Sequence, residues 1–351
     1  MNLFSTHRFF EETAAPILGF FTCWLIERAT RDRVSDLYFL ARDGWFFFHA
    51  ARRLCATRAL PIRCHYLYVS RKTLSDFTPQ NKHLTLYLTQ AGLLKKTRAA
   101  IVDSGWMGSI QPALNRRLLE AGRTAPVFGY YFGLYQVNHR TPFLSKGRTA
   151  YFSPQTHYWR KVFFSPAVFE TIFSAPHGTT ISYGEASGRV FPICAPVNTQ
   201  TKAFIRTGAD ILFVNGAIDK WLSSPPSAPT IFRICIRLMA LPSHGTADFL
   251  GKLSFSDNNQ NETALAPILS KSKRNSGRFF PSLFHFFRKR SSIPTSWYAG
   301  SAVRSYPIPL FALLSHFLWQ MVRQFPIVER IIQKRRCHLC AFFPHGINMR
   351  S

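Results

Sequence analysis

Acidic residues are scarce in this sequence. Its 351 residues include 17 Asp and Glu against 44 Lys and Arg, so the formal net charge is +27. A protein that has no anionic partner is hard to reconcile with so large an excess of positive charge. The expected partners are therefore phosphate groups, nucleic acid or the anionic face of a membrane.

Cysteines are also few. Five of the seven are scattered along the chain, which argues against a disulfide framework. The other two, Cys337 and Cys340, form a CxxC pair with His345 nearby. A structural zinc site needs four ligands, and the chain offers no second knuckle to supply the remaining ones. Two reduced thiols in a basic tail are therefore favoured over a zinc site.

The apolar run near the start of the chain, 15–26, is too short to span a bilayer, which takes about 20 residues. Glu11 and Glu12 precede it, where a secretory signal would carry positive charge, and no small-residue cleavage site follows. We interpret the run as a buried helix. The expected compartment is the cytoplasm, with peripheral attachment at the inner membrane face through the basic tail as an option.

Pattern and composition divide the chain into three parts. Residues 1–195 alternate short apolar runs with helical periodicity and are predicted to form an α/β core domain. Residues 196–270 are typical of a mixed or helical extension with polar linkers. Residues 271–351 form a basic, Phe-rich tail that carries fourteen Lys and Arg and a single acid, Glu329.

Four buried strands are predicted in the first part, each next to a stretch of helical spacing. They cover 36–41, 64–69, 99–102 and 126–135. Because strand, loop, helix, strand is the pattern of a parallel sheet, the predicted fold class is α/β. We expect a parallel, Rossmann-like sheet flanked by helices, then an irregular or helical basic C-terminal region. Between 150 and 195, aromatic runs and turn signals favour irregular or mixed structure.

Three of the predicted strands run into polar loops. These loops hold Arg42, Asp43 and Gly44, then Ser70 and Arg71, then Asp103, Ser104 and Gly105. Ligands of open parallel sheets bind at the carboxyl ends of the strands. Asp43 and Asp103 are the candidate catalytic acid and base and the candidate ligands of a divalent metal such as Mg²⁺. Arg42 and Arg71 are suited to clamping a phosphate.

The third loop carries the sharpest signal. It leads from Asp103 through Trp106 and Gly108 to Ser109, where a helix is predicted to begin. Glycines permit a tight turn and close ligand approach, and hydroxyls with free amides at a helix start can bind an anion. The loop lacks both the Walker A ending and the GxGxxG fingerprint. In the structural alternative, Ser109 merely caps the helix and Asp103 stabilises the turn.

Glu170 and His177 are further ligand-binding candidates. Glu170 is an isolated acid in an aromatic segment, and His177 belongs to a Pro-His-Gly turn that follows. Because loops often carry function, this segment can close over a site. A local turn with one solvated acid is the alternative interpretation.

Two phosphate-handling motifs are approached but not completed. Phosphatases of the haloacid dehalogenase type begin with a strand followed by Asp-x-Asp, whose first Asp is the nucleophile, and Ala41 stands at that position here. Phosphoribosyltransferases use a strand, an acidic pair, a small-residue loop and a helix. Asp103-Ser104 offers one acid where that motif usually has two.

Taken in order, the segments 38–44, 68–71, 102–111 and 174–178, with Glu170 before the last, resemble a known family. They are similar to the C-terminal region of predicted hydrolases of the haloacid dehalogenase superfamily, which occur among bacterial cell-surface polysaccharide genes. The resemblance covers about residues 10–195. Those longer proteins carry the Asp-x-Asp phosphatase half before this region, and the present chain begins after it. The resemblance therefore implies the family and its polysaccharide context, but not hydrolysis.

Three hypotheses about function follow. The first is a protein of this hydrolase-like family that binds a phosphorylated metabolite, such as a sugar phosphate or a nucleotide sugar; whether it is an enzyme stays open. The second is a non-catalytic accessory module that docks on a membrane, a glycosyltransferase or a separate haloacid dehalogenase domain. The third is a phosphoribosyltransferase-like protein. The chain has no recognised RNA or DNA motif, so nucleic acid ranks below the membrane as a partner of the basic tail.

Overall fold

The computed structural model describes residues 3–75, 81–96, 98–136, 141–255, 263–269 and 295–323. At its centre lies a five-stranded parallel sheet in the order β2-β1-β3-β4-β5. Its strands are β1 (Asp36–Leu40), β2 (Arg63–Leu67), β3 (Ala99–Trp106), β4 (Phe128–Leu134) and β5 (Gly147–Phe152). The predicted fold class, a parallel Rossmann-like sheet flanked by helices, is confirmed.

Helices surround this sheet. The first is α1 (Leu3–Phe9), which continues through a π-helical turn (Phe10–Ala14) into α2 (Ala15–Arg31). The others in the first half are α3 (Trp45–Thr57), α4 (Arg71–Ser75), α5 (Asn81–Gln90), α6 (Ile110–Glu120), the 3-10 turn Phe143–Ser145, α7 (Tyr158–Val162) and α8 (Pro166–Ile172).

The second half is mainly helical after one antiparallel hairpin, β6 (Thr180–Ala186) and β7 (Arg189–Cys194). The helices are α9 (Thr199–Ala209), α10 (Asp219–Ser223), α11 (Ala228–Cys235), α12 (His244–Gly251), α13 (Tyr298–Ser305) and α14 (Leu310–Arg323), with π-helical turns at Asp210–Val214 and Ile236–Ala240. A two-residue pair, β8 (Ser254–Phe255) and β9 (Thr263–Ala264), completes the list of elements.

Successive residues of the central strands face opposite layers of the core. On β1, Leu37 and Phe39 belong to the larger hydrophobic cluster, which includes the buried faces of α2 and α3. Tyr38 and Leu40 belong to a second cluster, with residues of α5, α6 and the β6–β7 hairpin. Because side chains alternate along a strand, a sheet buried on both faces needs the continuous apolar runs that the sequence shows.

The strand order reverses between β1 and β3, and we call the carboxyl ends of these two strands, with the loops that follow them, the cleft. The chain leaves β1 for β2 on one side and later returns to β3 on the other, and such a reversal opens a crevice at the carboxyl ends of the strands. The pairing of β1 with β3 ends at Phe39 and Val102, whereas β3 stays paired with β4 as far as Trp106. The last four residues of β3 therefore border the loop that follows β1.

Several predictions can be compared with these elements. The apolar run 15–26 lies in α2, most of whose residues are buried. The helical stretch Ser5–Arg31 is, among the described residues, the one long and apolar enough to cross a membrane, and 72% of its most apolar window is buried inside the protein. Residues 150–195 resolve into part of β5, two short helices and the hairpin.

The parts proposed from composition are in contact where they are described. Phe10 and Phe204, on either side of the predicted boundary at 195, have ring centroids 5.0 Å apart. Of the tail 271–351, residues 295–323 are described, and they form α13 and α14. The CxxC pair at 337–340 lies outside the described residues. The three-part division stays a prediction.

Candidate functional site

The loop after β1 is a tight turn that places two charged residues at the end of the strand. The backbone N–H of Gly44 donates to the carbonyl of Leu40 at 2.8 Å, and a side chain at Gly44 would collide with that carbonyl. Only glycine fits this close approach, and α3 begins at the next residue. Arg42 and Asp43 are thereby held at the mouth of the cleft.

A hydrogen bond joins the two sides of the cleft. The hydroxyl of Ser104, on β3, donates to Oδ2 of Asp43 at 2.7 Å. Ser104 and its neighbour Asp103 are both buried. The backbone amides of Ser104 and Gly105 act on the carboxyl group of Asp103 and oppose part of the rise in its pKa. The structure thus brings together Asp43 and Asp103, which are sixty residues apart in the sequence.

Both carboxyl groups have raised pKa values. Burial raises the pKa of Asp43, although the charges of Arg42 and Arg71 and the hydrogen bond from Ser104 oppose the shift. Burial, reinforced by the charge of Asp43, raises the pKa of Asp103 to about 7. A carboxyl group with this pKa can give or take a proton near neutral pH, as a general acid or base must.

Two arginines supply positive charge to the same place. Arg42 is half-buried in the loop after β1, and the exposed Arg71 is the first residue of α4, after β2. Both are close enough to lower the pKa of Asp43, and Arg71 also acts on Asp103. Guanidinium groups that act on both carboxyl groups are also near enough to the cleft to neutralise a phosphate that enters it.

The end of β3 and the loop that leads to α6 contain three left-handed backbone conformations, two of them at glycines and the third at Trp106. Gly105 has φ +108°, and a side chain there would overlap the carbonyl of Gly133 on β4; Gly108 has φ +58°. Ser109 lies at the N-cap of α6 and is exposed, but its hydroxyl makes no capping hydrogen bond. The capping half of the structural alternative is therefore not observed. The other half, stabilisation of the turn by Asp103, stays a prediction, and the effect of the Ser104 and Gly105 amides on the pKa of Asp103 is in line with it.

Ser70 has structural contacts. Its hydroxyl donates to the carbonyl of Thr180 at 2.7 Å and accepts the backbone N–H of Thr73 at 3.2 Å. It thus joins the end of β2 to the hairpin and starts α4. These bonds are all to protein atoms, and the predicted contact of Ser70 with a ligand stays a prediction.

Glu170 meets the end of β3 through Trp106. The indole Nε1–H of Trp106 donates to Oε1 of Glu170 at 2.7 Å, and the ring of Trp106 packs among Phe132, Phe164 and Phe169. Glu170 therefore orients a buried aromatic residue beside the glycine loop. Its direct contact with a ligand stays a prediction, as does that of Trp106.

His177 forms a pair with a residue that sequence reasoning missed. Its Nδ1 lies 2.9 Å from the carbonyl of Gly178, so Nδ1 carries the proton and Nε2 accepts the hydroxyl of Tyr66 at 2.9 Å. Burial lowers the pKa of His177, which keeps the ring neutral. The charge of Asp43 contributes to the raised pKa of Tyr66. The pair therefore borders the carboxylates, and the sequence signal for it was the alternation of Tyr66, near the end of β2, with Tyr68, just after that strand.

The donor atoms in the cleft suit a small divalent cation. Asp43 and Asp103 offer carboxylate oxygens, and their burial without full neutralisation favours a cation beside them. Across the described ranges, no group of three or more His, Cys, Asp or Glu side chains is placed to hold a metal ion. Mg²⁺ is commonly held by one or two carboxylates together with substrate phosphates and water, so two carboxylates are compatible with it.

Comparison with known proteins adds no family. No family model matches the chain, and a search of curated proteins gives no match. The resemblance to the C-terminal region of haloacid dehalogenase hydrolases thus rests on the quoted segments alone and stays a prediction.

Proposed function

We propose that this protein binds a phosphorylated metabolite, a sugar phosphate or a nucleotide sugar, in the cleft between β1 and β3. The observation that carries the proposal is the meeting of Asp43, Asp103, Arg42 and Arg71 at the point where the strand order reverses. In open α/β sheets that crevice is where ligands bind. The family context and the cytoplasmic location are parts of the same proposal.

The proposed roles follow from the contacts. Arg42 and Arg71 neutralise the phosphate, and the turn from Gly105 to Ser109 offers amides and an exposed hydroxyl to its oxygens. Mg²⁺, when bound by Asp43 and Asp103, would supply charge neutralisation at the phosphate. If the chain catalyses a reaction, Asp103 is the residue whose pKa suits proton transfer near pH 7.

The cleft also supports a phosphoribosyltransferase-like function as the second candidate. In the sequence, Ser104 stands where the second acid of the acidic pair is expected. In the structure, Ser104 donates to Asp43, so a second carboxylate reaches the same place from another strand. This substitution in space is the specific observation in favour of a ligand that carries pyrophosphate and ribose.

A thermal-shift panel tests both candidates. The full chain is titrated, with and without Mg²⁺, with inorganic phosphate, pyrophosphate, phosphoribosyl pyrophosphate, sugar phosphates and nucleotide sugars. A ligand at a hundred times its Kd adds about 2.7 kcal/mol of stability. For a chain of this length that is a rise in Tm of about 4 °C. Phosphoribosyl pyrophosphate as the best ligand would select the second candidate.

Variants locate the binding. We expect the ligand-induced shift, taken relative to each unliganded variant, to disappear in Asp43→Asn and in Arg71→Ala. Asp210→Asn is the matched control, because Asp210 is exposed at the end of α9 and its substitution removes the same charge. If the ligand still raises the Tm of both Asp43→Asn and Arg71→Ala, the ligand binds elsewhere on the protein. If no compound changes the Tm of the folded protein, the result favours the accessory module, docked on a glycosyltransferase or a haloacid dehalogenase domain.

A further inference from the structure

Helix α14 turns its apolar side to solvent. Phe311, Leu314 and Leu318 are 72%, 50% and 56% exposed, and Leu310 is similarly open. These positions follow one another at intervals of three and four residues, so they form one continuous stripe along the helix. A contiguous apolar patch of this kind is unusual on a soluble surface and marks a place of interaction.

The opposite side of α14 holds the helix on the protein. Ala312 and Leu313 are buried, and Phe317 meets Phe163 edge to face with ring centroids 4.9 Å apart. The polar His316 lies on this inner side, where its ring stacks on Tyr298 at 4.9 Å. The helix is thus apolar on both sides: its inner side packs on the protein, and its outer stripe is exposed.

The neighbouring helix carries another exposed aromatic residue. Trp159, on α7, is exposed, and its ring stacks on Phe163, which also contacts α14. The hydroxyl of Tyr158 donates to the carbonyl of Met321 at 2.7 Å and ties α7 to α14. A Trp beside a row of Leu and Phe is the side-chain set that enters the boundary between lipid headgroups and acyl chains.

The charge of the sequence on both sides of α14 favours an anionic lipid as the occupant. From residue 263 to the end, the sequence has one acid, Glu329, and fourteen Lys and Arg. Two clusters of three, 288–290 and 334–336, flank α14 in the sequence. A basic segment is attracted to an anionic leaflet, and this attraction supplements insertion of the apolar side chains.

We propose that α14 is an in-plane membrane anchor that inserts Phe311, Leu314 and Leu318 into an anionic lipid surface. Neither this inference nor its test uses the phosphate site between β1 and β3. Attachment by α14 would bring a protein that handles phosphorylated sugars or other metabolites to the surface of the membrane.

Vesicle flotation of the full chain tests the anchor. Vesicles of phosphatidylcholine are compared with vesicles that also contain phosphatidylglycerol. The test variant is Leu314→Gln with Leu318→Gln, and the matched control is Val214→Gln with Leu241→Gln, two apolar residues exposed elsewhere. Because all four positions are exposed, both variants should keep the Tm of the wild type.

We expect the wild type and the control to float with the anionic vesicles, and at least a tenfold weaker partition for the test variant. Added salt should weaken the wild type, because it screens the basic segments. The proposal is overturned if the wild type does not float with the anionic vesicles, or if the test variant floats with them to the same extent as the wild type. A wild-type dimer that the test variant dissociates, with no vesicle binding, assigns the stripe to a second copy of the chain instead.

Discussion

Asp103→Asn is expected to make the protein more stable at pH 8 while it removes ligand binding. Burial and the charge of Asp43 raise the pKa of Asp103 to about 7, against about 3.9 for an Asp in an unfolded chain. Between these two values the folded state binds more protons than the unfolded state. Ionisation of Asp103 therefore lowers the free energy of unfolding as the pH rises from about 4 to about 7.

The size of the effect follows from the two pKa values. A difference of about 3 units corresponds to about 4 kcal/mol above pH 7, because each unit is 1.36 kcal/mol. Asn has nearly the same size as Asp and keeps one side-chain oxygen beside the backbone amides of Ser104 and Gly105, which act on Asp103 in the wild type. We therefore expect most of the turn to be preserved. We expect a net gain of about 2 to 4 kcal/mol for Asp103→Asn at pH 8. At pH 4.5 and below we expect little or none.

Chemical unfolding of the wild type and Asp103→Asn across this pH range, with EDTA present, measures the gain. Asp43→Asn serves as a second probe, because removal of its charge should lower the pKa of Asp103 and flatten the pH dependence of stability. Asp210→Asn is again the exposed control. A gain that is the same at pH 4.5 and pH 8, or a loss of stability at pH 8, would refute the reasoning about the buried carboxyl group.

Three substitutions test other parts of the fold. Burial would raise the pKa of Asp36, but hydrogen bonds from Arg63, Ser35 and His65 outweigh burial and hold the pKa well below its usual range. Asp36→Asn should therefore lower the free energy of unfolding in urea by about 1 to 3 kcal/mol at pH 7. The loss should be smaller at pH 3, because there the unfolded wild type takes up a proton. Gly105→Ala should lower stability by about 3 kcal/mol or more in thermal unfolding, because the methyl group needs a left-handed backbone and overlaps β4; a wild-type Tm would contradict this. Glu170→Ala should lower the free energy of unfolding by about 1 to 3 kcal/mol and shift the fluorescence of Trp106, because the indole N–H loses its acceptor. Glu170→Gln keeps an acceptor, so its stability and fluorescence should stay close to those of the wild type. Equal effects of the two substitutions would argue against the indole hydrogen bond.

The central strands were predictable because each is a short apolar run between polar turns. Burial on both faces requires such runs, so 36–41 and 99–102 predicted β1 and the start of β3. β5 gave no such signal. It lies at the edge of the sheet, and its first residues, Gly147 and Arg148, are exposed and read as loop.

The candidate site was predictable in part. Polar residues at the ends of parallel strands must lie at one edge of the sheet, so Asp43, Arg71 and Asp103 could be grouped from the sequence, although β3 continues past Asp103 to Trp106 and the predicted strand ended at 102. The hydrogen bond between Ser104 and Asp43 could not, because it depends on β1 and β3 being neighbours, and local patterns do not determine strand order. The pair of Tyr66 and His177 could not be predicted either, because the two residues are 111 positions apart and local patterns do not show which distant segments meet.

The position of Asp103 and Ser104 within β3 has a consequence for dynamics. These residues belong to the central strand of the sheet, which is paired with β4 through Trp106, and not to a surface loop. Core strands exchange their amide hydrogens only through large-scale unfolding. Hydrogen exchange should therefore be slow along β3 up to the edge of the cleft, even without a ligand. A cleft whose central wall is already ordered loses little conformational entropy when a ligand enters, which leaves more of the interaction energy for affinity.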